Sequence, residues 1–379
     1  MPSDSGRWRH ILLLVVVNAF VGGMVGLERT LLPLLAESEY GVASAAAAFS
    51  FIVTFGLSKA FVNLAAGSLA DRFGRRRVLL AGWLAGIPVP LVVLFAPSWG
   101  YIVAANALLG VNQGLAWSMT VNMKLDRARA DERGLVVGLN EAAGYLGVAA
   151  LAFVTALYAT REAMGALGLG LALAGLLLSL LARDAERPAA RRGELARAFR
   201  DRAFAAPSVA GLATNLKDGA LWGLLPLALA ARGLDLATIG AVVAAYPVAW
   251  GLGQLAFGPL SDRVGRRGLA VVGLALQAAG VAALALAPGA AGALAAAIVV
   301  GLGTAMAYPT LLALVADRAR PQARATALGV YRFWRDLGYA AGAVGAGVVA
   351  DAAGFGAALL SVAAFVALAA LPLHLSREG

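Results

Sequence analysis

The sequence predicts an all-α polytopic membrane protein whose twelve transmembrane helices form two pseudo-symmetric six-helix bundles. Three observations carry that expectation. Composition is the first: 61% of the 379 residues are apolar and 14% are charged, with a mean hydropathy of +0.80, far above that of soluble domains. The second is the recurrence of apolar stretches of roughly 20 to 27 residues, each able to cross about 30 Å of hydrocarbon as a helix. The third is a short basic loop that occurs twice, as Gly67-Ser-Leu-Ala-Asp71-Arg72-Phe-Gly74-Arg75-Arg76-Arg77 and as Gly258-Pro-Leu-Ser-Asp262-Arg263-Val-Gly265-Arg266-Arg267.

In chain order the predicted spans are 10–35, 43–69, 77–96, 100–123, 134–158, 163–182, 204–230, 236–260, 268–288, 291–316, 325–350 and 354–375. Transmembrane strands are set aside because they alternate over about ten residues, whereas runs such as Ile11 to Val17 do not alternate. The apolar pattern behind Arg7 and Arg9 continues from His10 towards Leu35 with no clear cleavage site, so it reads as a first span and not as a signal peptide. These boundaries give a first bundle over 1–182, a linker over 183–203 and a second bundle over 204–379. Within the linker, Leu195 and Phe199 suit a short amphipathic surface helix, although a solvated connection is the preferred reading.

Charge supplies an orientation. Lys and Arg crowd the two repeated loops, the segments Lys124 to Arg133, Arg183 to Arg202 and Arg318 to Arg324, and both termini, while Arg161 and Arg232 alone occupy the other set of loops. Positive residues stay on the cytoplasmic side, which places both termini and the linker there, in the inner membrane of a bacterium. The net charge of +10 then follows from membrane topology and calls for no nucleic-acid partner. The absence of cysteine removes disulfides and thiolate metal sites, and no metal or cofactor is expected.

The repeat extends beyond the loop. Asp71 and Asp262 lie 191 positions apart, and offsets of 191 to 194 relate Leu32-Pro33-Leu34 to Leu225-Pro226-Leu227, Trp117 to Tyr308, Asp126-Arg127 to Asp317-Arg318, and Gly144-Tyr145 to Gly338-Tyr339. An even number of spans separates the copies, so the halves share one orientation and are related by an axis along the membrane normal, with a ligand site between them.

On these residues the chain resembles the major facilitator superfamily of secondary transporters over essentially its whole length. Gly67, Asp71, Arg72, Gly74, Arg75 and Arg76 match that family's signature loop, and Gly258, Asp262, Arg263, Gly265 and Arg266 match its degenerate second copy. The resemblance implies that Asp71 docks at the start of the eleventh span, near Ala325, and Asp262 at Gly134 in the fifth. A carboxylate at a helix N-terminus gains about 0.3–1 kcal/mol, so the two loops are expected to latch the outward-open state. Gly74 and Gly265 suit turns with positive φ, and Gly67 and Gly258 suit close helix approach. In the drug:proton antiporter branch an arginine precedes Gln113-Gly114 by three positions. Gly110 stands there instead, so the relay role has no bearer at that place.

Ionisable residues within spans are costly against lipid and should face the interior. They are Glu28, Arg29, Lys59, Glu141, Lys217, Asp218, Arg332, Arg335 and Asp336. Adjacent Glu28 and Arg29 need separate partners, with Lys59 a candidate for Glu28, and Arg332 and Asp336 share a helix face. Glu28, Asp218 and Glu141 are the candidates for proton coupling, Glu141 with an arginine of the eleventh span as a possible partner. Asn18, Gln113, Trp117, Trp222, Tyr246, Trp250, Tyr308, Tyr331 and Trp334 are the candidates for lining a substrate cavity. The expected activity is secondary active transport of a small organic or amphipathic solute by alternating access, as proton-coupled efflux from a monomer. A uniporter or importer of an organic anion is the alternative. His10 and His374 lie at span ends and no nucleophile or phosphate-loop constellation is present, so no enzymatic activity is expected.

Overall fold

The computed structural model describes residues 4–129, 132–158, 160–184, 195–320 and 324–376. Among them every regular element is helical. The first rod is α1 (Asp4–Arg29) and α2 (Leu32–Ser38), broken at Thr30 and Leu31 ahead of Pro33. Proline lacks an N–H and fixes φ, which suits the first turn of a helix and not its interior. The second rod is α3 (Ala45–Ala48) with α4 (Ser50–Phe73). The third is α5 (Arg75–Gly86) with α6 (Pro88–Phe95), restarted by Pro88. The fourth joins α7 (Trp99–Asn112) to α8 (Ser118–Leu125) through one π-helical turn, Gln113–Trp117. Helices α9 (Arg133–Tyr158) and α10 (Arg161–Leu180) complete the first half.

A short α11 (Leu195–Arg200) follows. The second half consists of α12 (Ala205–Ala230), α13 (Leu236–Val264), α14 (Arg266–Leu286), α15 (Gly289–Arg318) and α16 (Arg324–Leu375). Among the described residues, nine helices are long and apolar enough to cross a membrane. One of them, Thr326–Leu375, breaks at Gly354, where φ is 84°. The rods over 99–125 and Ala205–Ala230 are helical over similar lengths but carry Asn106, Asn112, Gln113, Asn215, Lys217 and Asp218 near their middles. Together these account for the expected two sets of six rods. The rings of Phe199 and Phe333 lie 5.7 Å apart, so α11 rests on α16; Leu195 lies outside the described side chains.

The duplication is visible as repeated physical contacts. Arg75 pairs with Asp126 in the first half and Arg266 with Asp317 in the second, both partners shifted by 191 positions, so each basic loop is tied to the end of the fourth rod of its own half. Gly74 and Gly265 turn the chain at φ 87° and 92°, as the loop pattern predicts. The far-side arginines have matching structural work. Arg161 donates to the carbonyls of Val93, Leu94 and Ala96, and Arg232 to those of Leu284, Ala285 and Ala287. Each guanidinium satisfies the orphan carbonyls at the C-terminal end of a third rod and complements its dipole.

Small residues set the packing within each half. A methyl group at Gly22 or Gly147 of the α1–α9 contact would strike the carbonyls of Gly144 or Ala19, and one at Gly338 or Gly342 of the α12–α16 contact would strike those of Leu212 or Leu216. Lipid tails are as apolar as leucine, so helices in a bilayer gain contact by bringing backbones close through such residues. Outside the spans, Arg7 pairs with Glu132 and ties the start of α1 to the start of α9. The Arg7 hydrogen bond, with help from the Arg129 backbone, holds the Glu132 carboxyl down at about 2. Its contribution is therefore complete above the ordinary carboxylate range and disappears only as the pH falls through about 2.

Gly22→Ala and Gly342→Ala should each lower stability by about 1–3 kcal/mol through overpacking. Gly258→Ala, where an added Cβ meets nothing within 4 Å, should leave the melting temperature of the purified protein unchanged or slightly raised. Equal melting temperatures for all three variants would contradict the packing described.

Candidate functional site

The interface between the halves is built on two seams, α4 against α16 and α9 against α13. Near its centre Arg29, in the last turn of α1, reaches across to α12. Its two terminal nitrogens donate to the two carboxylate oxygens of Asp218, both at 2.9 Å, with the guanidinium 5.0 Å from the Trp222 ring. Both residues are buried. A second polar link lies on the α4–α16 seam, where Asp336 accepts from Asn63 of the first half as well as from Asn215 and Arg335 of its own.

Several pairings expected from spacing are replaced by others. Asp336 takes its immediate neighbour Arg335, at 2.7 Å, and not Arg332, because the long Arg335 chain folds back while its other nitrogen donates to Tyr308 at 2.6 Å. Glu28 does not meet Lys59. It lies in a pocket within the first half, lined by Met24, Leu27, Val89, Pro90, Val93 and Met164, beside Asn106, because consecutive helix positions point about 100° apart. Glu28 Oε2 and Asn106 Oδ1 are both buried without a hydrogen-bond partner. Glu141 makes no hydrogen bond or ion-pair contact with an arginine of α16, although its charge acts on Arg332 across the interface; its Oε1 accepts from Trp117 at 2.8 Å and from Asn140 at 2.9 Å, both in its own half. Lys217 is buried and satisfied by Tyr246 at 2.5 Å and Thr304 at 2.9 Å. Among the described residues, Lys59 and Arg332 make no hydrogen bond or ion pair, and neither is fully buried.

Aromatic side chains surround these charges. Tyr145 stacks on Trp250 at 3.5 Å and lies 5.3 Å from Trp117, Trp250 lies 5.6 Å from Tyr246 and 5.2 Å from Tyr308, and Phe55 joins Trp222 to Tyr339. Trp117, Trp222, Tyr246, Trp250 and Tyr308 thus gather at the interface. Four other candidates do not. Asn18 and Gln113 donate to the carbonyls of Asn140 and Val21 and brace the first half. Tyr331 packs against Gly211 in the core of the second half, and Trp334 is 40% exposed beside Phe199 and Phe333. Tyr145, Tyr339, Phe55, Asn63 and Asn215 belong to the site although their types alone did not single them out. The repeated Gly144-Tyr145 and Gly338-Tyr339 pairs were the available signal for the two tyrosines. A Cβ at Gly110 would come within 2.5 Å of the Phe55 carbonyl, so α7 packs on α4 where an arginine side chain has no room.

The two ends of the interface differ. At the end opposite the basic loops, Asp351 of α16 accepts from Ser44 Oγ at 2.7 Å and from the backbone N–H groups of Ala45 and Ala46 at 2.6 and 3.1 Å. The carboxylate of one half thereby caps a helix start of the other. Beneath it, Phe51 and Phe55 close on Trp222 with ring centroids 5.5 and 5.0 Å apart. At the loop end, Asp71 is exposed and makes no hydrogen bond or ion pair, while Asp262 pairs only with Arg266 of its own loop. A Cβ at Gly67, Gly134 or Gly258 would meet nothing within 4 Å, so the close approach expected of these loops is not made in this conformation. Arg72 lies over the adjacent Phe73 ring, and Arg263 is exposed. The Ala325 side chain lies outside the described residues.

A family model described as Major Facilitator Superfamily matches residues 11–214 and again 207–378. The multidrug efflux pump LfrA of Mycolicibacterium smegmatis (strain ATCC 700084 / mc(2)155) is 35% identical over 126 residues, which is 32% of this chain and 25% of that protein. The match thus spans about a quarter of the length of that relative. Among solved structures, the nucleoside transporter NupG (D323A mutant) superposes with a TM-score of 0.80 at 13% identity, over 96% of this chain and 99% of that one. The human organic anion transporter MFSD10 (TETRAN) does so with a TM-score of 0.76 at 18% identity, with the same coverage. At these identities the likeness to both structures is one of fold.

Asp218→Asn leaves Arg29 buried without its counter-charge and should destabilise the protein by about 3–5 kcal/mol. The Arg29→Gln/Asp218→Asn double variant should melt well above the sum of the single losses, and additive losses would mean that the pair is not coupled. Asp351→Asn should open the far end. In this cysteine-free chain, a single cysteine at buried Ala346 should react faster with a maleimide in the Asp351→Asn background, and an unchanged rate would remove the cap from the closing contacts.

Proposed function

The chain belongs to the major facilitator superfamily of transporters, and on that premise we propose that it moves a small organic or amphipathic solute by alternating access, as proton-coupled efflux. The observation that carries this reading is the asymmetry of the interface. One end is sealed by Asp351 and by the aromatic contacts of Phe51 and Phe55 with Trp222, while at the other the signature loops carry carboxylates with no partner across the interface. Asp71 and Asp262 act as latches in this scheme. They dock on helix N-termini of the opposite half when the loop end closes and the Asp351 end opens, and Gly67 and Gly258 make room for that approach.

The proton site is Glu28. Its Oε2 is buried and accepts from no donor, and a proton removes the charge from a carboxyl enclosed by an apolar pocket. Unpaired buried acceptors cost about 1–3 kcal/mol each, so protonation is favoured while the pocket stays closed. Arg29 follows Glu28 in sequence, and any change in the Arg29–Asp218 contact reorients the same helical turn. The proton and the inter-half contact are coupled in this way. Asp218, with both oxygens engaged by Arg29, is not the titrating group in this conformation, and Glu141 serves to orient Trp117. Efflux as the direction draws on the partial similarity to LfrA. The positive-inside rule puts both termini and the signature loops in the cytoplasm of a bacterial inner membrane. The units are residues 1–182 and 204–379 joined by 183–203, working as a monomer. A second reading, an uncoupled uniporter or importer of an organic anion, is favoured by the unpaired cations Lys59 and Arg332.

Reconstitution in liposomes with lipophilic cations, neutral amphiphiles and organic anions, each with and without a pH gradient, tests the proposal. Gradient-driven movement by the wild type that Glu28→Gln abolishes, with an unchanged melting temperature, is the expected outcome. Wild-type rates in Glu28→Gln would eliminate the assigned proton site, and flux indifferent to the gradient would select the uncoupled carrier.

A further inference from the structure

We propose that Lys59 is the anchor for the carboxylate of an aromatic organic acid, and that a planar acid of this kind is the solute; the inference rests on the transporter reading above. It begins with the distribution of the interior charges. Asp218 spends both oxygens on Arg29, and Asp336 spends its oxygens on Arg335, Asn215 and Asn63. Glu28 is enclosed within the first half, and Glu141 is held by Trp117 and Asn140. Lys217 is buried and already bonded to Tyr246 and Thr304, and Lys124 is buried and donates to the Leu14 carbonyl. Two interior cations therefore keep unengaged heads that are not fully covered, Lys59 on α4 and Arg332 on α16, one from each half.

The surroundings of Lys59 define what it takes. Its ammonium lies 5.3 Å from the ring centroid of Phe55, 5.8 Å from that of Trp117 and 5.1 Å from that of Tyr339. Rings attract a cation but accept few of its hydrogen bonds, so three N–H donors remain for an anionic acceptor. Of these rings Phe55 and Tyr339 are buried and Trp117 is partly exposed, so a planar apolar body packs on the Trp117 indole with the offset or edge-on geometry that aromatic groups prefer. Trp117 is set for this role. It ends the π-helical turn Gln113–Trp117, a distortion that recurs at functional sites, and its indole N–H is fixed by Glu141. The carboxylate of Glu141 also repels an acid, which directs the ligand carboxylate to the Lys59 side of the indole. An ammonium with aromatic walls and no carboxylate in hydrogen-bond contact, Asp336 and Asp218 acting on it only from a distance, thus fits an aromatic carboxylate and disfavours an aromatic amine.

Purified wild-type protein, Lys59→Met and Lys59→Arg would be titrated with three compounds of one shape, naphthoate, naphthamide and naphthylmethylammonium, and binding read by thermal stabilisation and tryptophan quenching. Replacing a charge-assisted bond by a neutral contact weakens binding by about tenfold or more. Naphthoate should therefore bind at least about tenfold tighter than naphthamide to the wild type. The preference should vanish in Lys59→Met and survive in part in Lys59→Arg. Equal affinity for acid and amide, failure of naphthoate to bind the wild type, or a preference that persists in a folded Lys59→Met would overturn the proposal. The same compounds in liposomes separate the two levels of the argument. Movement of the amide or amine but not the acid overturns this inference and leaves the transporter reading standing. Binding of the acid with movement of none of the three sustains the site and overturns transport of this class.

Discussion

The ion pair between Arg29 and Asp218 is the contact on which the arrangement of this molecule turns. Two fully charged groups are buried in the middle of an apolar assembly, one from each half, and their hydrogen bonds are bidentate. Isolated, either charge would cost several kcal/mol in such a medium. Paired, they require that α1 and α12 stay within one side-chain length of each other. Every other inter-half contact is placed relative to that constraint: the aromatic closure of Phe51, Phe55 and Trp222 on one side of it, and the polar contact of Asn63 with Asp336 on the other.

A hydrogen-bonded charge pair at the centre also suits the proposed alternation of the two halves. Apolar packing can slide by ångströms with gradual loss, but a bidentate contact is either made or lost. At the Asp351 end a carboxylate faces a helix start, the same kind of contact that is proposed for Asp71 and Asp262 at the loop end. Asp351 makes that contact in the present conformation, and Asp71 and Asp262 do not. In the proposed scheme two sets of such caps at opposite ends, only one of which is engaged here, would let the chain exchange similar bonds between two arrangements. Internal duplication gives each half the same internal tie, Arg75–Asp126 in the first and Arg266–Asp317 in the second.

Much of the architecture was legible in the sequence. The twelve apolar lengths, the repeat offset of 191, the glycine turns at Gly74 and Gly265 and the interior position of most intramembrane charges all follow from local pattern. So did the separate fates of Glu28 and Arg29. Partner choice did not. Spacing joined Arg332 to Asp336, yet the adjacent Arg335 folds back and takes that carboxylate. It joined Lys59 to Glu28, which the fold sends into different spaces. It gave Asn18 and Gln113 the look of cavity residues, and both serve carbonyls of neighbouring helices within their own half. Helical periodicity reports which residues share a face, and says nothing of which helix that face meets.

What the sequence by itself determined is the solvent, the class of fold and the internal symmetry, because hydrophobic length, charge bias and repetition are properties of a chain read along one dimension. Only the tertiary structure decided which ionised groups cancel and which remain. The distance from Arg29 to Asp218, the enclosure of Glu28 and the unpaired ammonium of Lys59 depend on residues far apart in the chain coming within a few ångströms. In an apolar interior, electrostatic energy changes over that same range of distance.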